Sequence, residues 1–103
     1  MIRKESNVHI HLGFSILVIA AGFVFNISRM EWIAVLLCIG GVLTAEGLNT
    51  SIERLADLYS LDKNKDIRII KDVSAGAVLI MAIIAAVVGV IVFLPYLNEF
   101  IQH

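Results

Sequence analysis

Three long apolar blocks, separated by short polar segments, fill most of this 103-residue chain. That pattern constrains the fold more than any single residue does. Val8–Ile27 (VHIHLGFSILVIAAGFVFNI) is long enough, at about 1.5 Å per helical residue, to cross about 30 Å of hydrocarbon. Trp32–Ala45 has 14 residues and is short for a crossing by itself. It runs without a break into a charged stretch, so the second helix is read over residues 32–58 with a cytoplasmic extension. Val73–Tyr96 is the third block, closed by Pro95 and Tyr96. Apolar residues make up 59% of the chain and the mean hydropathy is +0.91, whereas soluble domains average about 45–50% apolar. The blocks are therefore expected to be spans rather than a soluble core. The predicted fold is an all-α membrane protein, a helical bundle with three transmembrane helices and one domain over residues 1–103.

The polar segments set the expected orientation. Arg3 and Lys4 precede the first block, while Arg54, Lys63, Lys65, Arg68 and Lys71 lie between the second and third. Arg29 alone lies in the Asn26–Glu31 connection, and Asn98–His103 carries no Lys or Arg. By the positive-inside rule the N-terminus and the charged segment face the cytoplasm and the C-terminus lies outside. Leu61–Lys71 reads as a short mobile loop. No A-x-A-like cleavage site follows the first block, which is read as a retained span. Net charge is −1 and no basic cluster interleaves with aromatics, which argues against nucleic acid. The single cysteine, Cys38, sits inside an apolar block with no ligand pattern around it and reads as a packing residue.

The stretch that carries chemistry is Ala45–Ser60, AEGLNTSIERLADLYS. On a helix, Glu46, Asn49, Glu53 and Asp57 share an arc of roughly 80°, with Thr50 beside them. Leu48, Ile52, Leu55 and Tyr59 form the opposite face. Three carboxylates thus point one way where a membrane helix meets water. An acidic group near the bilayer core costs ~2.5–3.5 kcal/mol on insertion scales, so such groups mark sites or buried partners. Two readings stand side by side: a face that binds a cation or polar substrate, and a solvated face of a cytoplasmic extension. His9 and His11, two residues apart, point to different sides of a helix and read as interfacial packing residues. Ala75, Ala82, Ala86 and Gly89 fall on one narrow face of the third block, which suits close helix approach or ordinary membrane-helix composition.

Clustered carboxylates at a membrane–water boundary suit Mg²⁺, which takes one or two carboxylates plus substrate phosphates. Lys71 and Asp72 lie at the start of the third span, level with Glu53 and Asp57. A lysine there neutralises phosphate charge, and a further carboxylate accepts a proton from a hydroxyl. Metal, charge clamp and base are the inventory of phosphoryl transfer, although a proton or cation pathway uses similar carboxylates. Neither GxxxxGK[ST] nor GxGxxG occurs.

The pattern E-x-x-N-T-x-I-E-x-x-x-D, carried by Glu46, Asn49, Thr50, Ile52, Glu53 and Asp57, resembles that of the small bacterial membrane lipid kinases. These are the prokaryotic diacylglycerol kinases and the closely similar undecaprenol kinases. KDVSAGAVL from Lys71 to Leu79 resembles their second motif, and ESNVHIH, beginning at Glu5, resembles their acidic entry. The resemblance covers nearly the whole chain. It implies a homotrimer of three-span protomers in the bacterial cytoplasmic (inner) membrane, with sites shared between neighbouring subunits at the cytoplasmic boundary. MgATP is then the phosphoryl donor and a lipid hydroxyl, of diacylglycerol or undecaprenol, the acceptor. Glu46 matches the general base and Asn49 its polar neighbour; Glu5 and Glu53 match the Mg²⁺ ligands. Lys71 matches the phosphate-contacting lysine, Asp72 its nucleotide-side partner, and Asp57 a further acidic residue supporting the nucleotide site. The family also implies an amphipathic surface helix ahead of the Glu5 position, where this sequence begins. Ala75–Ala77 looks more like the undecaprenol-kinase branch. A kinase-like subunit that only assembles and a small proton-coupled transporter are the competing readings.

Overall fold

A computed structural model describes the backbone of residues 2–59 and 65–102, and the side chains within those segments from residue 9 onward. Three helices follow in order: α1 (Ile2–Phe25), α2 (Arg29–Tyr59) and α3 (Lys65–Gln102). They form an elongated bundle of 57 × 22 × 20 Å. At about 1.5 Å per residue the 38 residues of α3 account for its long dimension. α2 packs on both neighbours, most extensively on α3.

The α1–α2 corner follows directly from its residues. Asn26 adopts φ 54°, the left-handed conformation that closes many helices. Its N–H donates to the Phe23 carbonyl at 3.3 Å, and the Ile27 N–H donates to the Gly22 carbonyl at 3.2 Å. Both bonds use carbonyls that the end of α1 would otherwise leave unsatisfied. Ser28 then caps α2. Its Oγ accepts the Glu31 N–H at 3.2 Å, while Glu31 Oε1 accepts the Ser28 N–H at 2.9 Å, a reciprocal capping box. Ile27 and Trp32, flanking this cap, join one apolar cluster with Val35 and Val92.

The same end is tied to α3. Tyr96 donates its hydroxyl to Glu31 Oε1 at 2.5 Å. Phe25 stacks on Tyr96 with centroids 5.9 Å apart and meets Phe93 at 6.3 Å and Phe100 at 6.4 Å. Glu31 precedes the apolar block of α2. The Tyr96 hydroxyl, and after it the Ser28 N–H, hold its carboxyl below the ordinary value.

Helix boundaries depart from the sequence expectations at several places. The first helix stops at Phe25 rather than Ile27, because Asn26 takes the left-handed turn. Of Leu61–Lys71, expected as a loop, residues 61–64 lie outside the described residues, and from Lys65 onward the segment is the first two turns of α3, with Asp66 in the first turn, where a negative charge favours the helix N-terminus. Pro95 does not end α3. It lies within the helix, which continues to Gln102 with Phe100 seated against Phe25. α2 and α3 are long and apolar enough to cross a membrane. The apolar part of α1, His9–Phe25, is shorter.

Burial is the reverse of a soluble bundle. Among the described residues no large side chain is fully enclosed, and Leu, Ile, Val and Phe side chains cover the outside. In α2, Leu48 is 60% exposed and Leu55 68%, whereas Glu46 on the facing side is 5% exposed. Such a surface suits a solvent of acyl chains, with polar groups turned toward neighbouring helices. The chain is a membrane protein by this distribution and by its two long apolar helices.

Candidate functional site

The acidic stripe of α2 faces into the bundle. Its residues meet α1 and α3 at the end of the molecule away from the aromatic corner, through contacts that include His11–Glu46, Ser74–Asn49 and Lys71–Asp57. Glu46 lies deepest. Its Oε2 is 3.1 Å from Nε2 of His11 on α1. Thr50 donates its hydroxyl back to the Glu46 carbonyl at 3.0 Å, so it secures the helix rather than the carboxylate.

One turn further on, Asn49 accepts a hydrogen bond at Oδ1 from the hydroxyl of Ser74 on α3. Ser74 is buried, so this bond satisfies a hydroxyl that would otherwise be costly there. At the open end, Lys71 Nζ on α3 lies 2.5 Å from Asp57 Oδ1 on α2. Between these contacts Glu53 is half-buried, with its Oε1 shielded from solvent. From Glu46 to Asp57 the stripe rises eleven residues, about 16 Å along the helix axis. It is a strip rather than a point, and it joins an apolar depth to a charged rim.

Of the seven residues singled out in the sequence, five share this face: Glu46, Asn49, Glu53, Asp57 and Lys71. Asp72 does not join them. It is exposed on α3, one position round the helix from Lys71. The Glu5 side chain lies outside the described residues. Two further participants, His11 and Ser74, were not signalled by spacing. His11 sits among apolar residues two positions from His9, and His9 is itself exposed. A signal existed in principle, since a polar side chain on the inner face of a membrane helix needs a partner. Cys38 lines an apolar cleft between the three helices. The cleft has a volume of 430 Å³; His11 and Ser15 lie on one wall and Ala82, Ala85 and Gly89 on another.

Among the described residues no three His, Cys, Asp or Glu side chains gather into a metal cage. Mg²⁺ does not require one: it is usually bound by one or two carboxylates together with phosphate oxygens and water. A shielded carboxylate oxygen on the inner face, Glu53 Oε1, fits that sparse donor set. The strip therefore offers a carboxylate fixed by a histidine, an amide fixed by a serine and a lysine fixed by an aspartate.

The sequence profile of the family described as prokaryotic diacylglycerol kinase matches residues 1–93. An undecaprenol kinase of Bacillus subtilis (strain 168) is 37% identical over 95 residues, covering 92% of this chain and 77% of that protein. No solved structure matches the chain.

Proposed function

The chain belongs to the prokaryotic diacylglycerol kinase family and is a lipid kinase; from that premise we propose that it moves the γ-phosphoryl group of MgATP to the hydroxyl of a long-chain lipid alcohol. Undecaprenol is the first acceptor to consider, because the 37% identical relative is an undecaprenol kinase. Diacylglycerol, named in the family description, is the second.

The observation that carries the assignment of roles is the inward strip with its two unlike ends. Glu46, buried at the apolar end, accepts the proton of the lipid hydroxyl as that oxygen attacks the γ-phosphorus. One P–O bond forms and the bond to the β-phosphate oxygen breaks, leaving ADP with the negative charge. Asn49, locked by Ser74, holds the neighbouring polar group in line. Lys71, at the rim, contacts the phosphates, with Asp57 fixing its position and supporting the nucleotide site. Glu53 and Glu5 are the residues that would hold Mg²⁺, which supplies neutralising charge to the phosphates when bound.

Assembly and topology complete the proposal. The family resemblance favours a homotrimer, in which Asp72, exposed in this protomer, serves the nucleotide side of a site shared with a neighbour. The apolar outer surfaces of all three helices suit contact with lipid and with other copies. α1 crosses with α2 and α3, with the N-terminus cytoplasmic and the C-terminus outside, as the Lys and Arg distribution favours.

The test supplies the purified protein in lipid vesicles with γ-labelled MgATP and, separately, undecaprenol and diacylglycerol. Label should pass to at least one lipid, and Glu46→Gln should reduce transfer by roughly 10²–10⁴-fold, the range for loss of a general base. Full transfer by the Glu46→Gln protein would remove Glu46 from that role. Transfer to neither lipid would overturn the substrate class.

A further inference from the structure

We propose that His11 is a positioning residue for Glu46: its Nε2–H donates to Oε2 and fixes the carboxylate that the reaction uses. This rests on the reading of Glu46 as the base. The geometry is specific. Glu46 is 5% exposed, and among the described residues His11 is the side chain that reaches its carboxylate, at 3.1 Å. A carboxylate that must take a proton from a hydroxyl needs one oxygen held in a defined direction. One N–H donor meets that need. It pins one oxygen so that the other is presented in a defined direction.

The histidine is placed for this task by two helices. It projects from α1, whereas Glu46 projects from α2, so the contact closes only when those helices are packed. The ring is partly buried, with 26% of its side chain exposed. Ser15, one turn further along α1, donates its hydroxyl to the His11 carbonyl at 2.8 Å and steadies the backbone from which the ring projects. His11 and Ser15 also line the apolar cleft between the three helices. His11 acts through Glu46 and need not touch the lipid or the nucleotide.

The experiment compares His11→Phe, His11→Gln and Glu46→Gln with the parent protein in vesicles, using MgATP and the lipid that the parent phosphorylates best. His11→Phe keeps a ring and removes the donor; His11→Gln keeps an N–H donor and removes the imidazole. The expected result is a kcat lowered roughly 10- to 100-fold in His11→Phe, the scale of a misplaced catalytic group. KM for MgATP should stay within about twofold, because the lost interaction acts in the transition state. His11→Gln should recover most of the loss. A merely structural histidine would not show this split of kcat from KM, nor rescue by a donor of different shape. An unchanged kcat in His11→Phe overturns the inference. So does failure of His11→Gln to rescue, which would make the imidazole itself a proton carrier. Should His11→Phe not assemble, kcat of His11→Gln decides: near the parent supports positioning, as low as Glu46→Gln overturns it. If Glu46→Gln alone stays active, the base assignment fails rather than the contact between the two residues.

Discussion

Nζ of Lys71 and Oδ1 of Asp57 stand 2.5 Å apart, joining the start of α3 to the end of α2. The lysine side chain is 16% exposed and the aspartate 42%. With one partner this exposed, the pair contributes about 1 kcal/mol or less to stability. Its larger effect is on where the ammonium sits.

Lys71→Met should therefore raise KM for MgATP at least about tenfold, the loss of one good phosphate contact. Asp57→Asn should raise it less, since the ammonium remains but is no longer held. Steady-state kinetics at saturating lipid separates the two. A KM for Lys71→Met equal to that of the parent would take the phosphate away from this lysine.

The Ser74–Asn49 bond predicts a stability effect. Ser74→Ala leaves the Asn49 carbonyl oxygen without its donor inside the bundle, at a cost of about 1–3 kcal/mol. Thermal unfolding in detergent should show a lowered midpoint. Ser74→Thr, which keeps the hydroxyl, should unfold closer to the parent than Ser74→Ala does.

Two glycines should respond differently to the same methyl group. A Cβ on Gly22 would stand 2.6 Å from Trp32 Cη2 and 2.8 Å from Cζ2. The indole is rigid and is packed in the apolar corner, so Gly22→Ala should destabilise by about 1–3 kcal/mol. On Gly41 the methyl would meet the Met81 thioether end, with Cε at 2.8 Å and Sδ at 3.0 Å. That end swings aside readily, and alanine is the better helix former, so Gly41→Ala should be close to neutral. Paired unfolding curves test the contrast.

At the opposite end, the Glu31 carboxyl is held below its ordinary value by Tyr96 and Ser28. A lowered folded-state pKa stabilises the fold above the unfolded value, and that contribution is lost as pH falls through the folded value. The corner should thus hold at neutral pH and loosen only below the ordinary carboxylate range. Tyr96→Phe should bring the Glu31 titration back up toward it. Carbon-13 NMR of the labelled carboxyl reads the shift directly.

The inward acidic strip was legible in the sequence because a carboxylate stripe at membrane depth must face either protein or water, and Glu46 faces protein. The spacing of Glu46, Asn49, Glu53 and Asp57 put them on one face, and their helix indeed carries Leu48 and Leu55 outward. His11 was not legible, since its role depends on which residue α1 brings opposite Glu46. Spacing within α1 cannot report that. Asp72 is level with Lys71 at the start of the third span, yet neighbours on a helix differ by about 100° and only Lys71 turns inward. The early start of α3 was hidden by composition. Lys65–Lys71 reads as a charged loop, although Ile67 is one of the buried residues and helical spacing from it is what seats α3.

That early start has a consequence for encounter. Freezing a residue of flexible chain costs about 1–2 kcal/mol in lost conformational freedom. Because α3 is already wound for more than a turn before Lys71, the phosphate that the proposed role brings there would meet a post rather than a tether. Capture would then restrain little beyond one side chain, and the strength of the contact would not be spent on winding the segment that carries it.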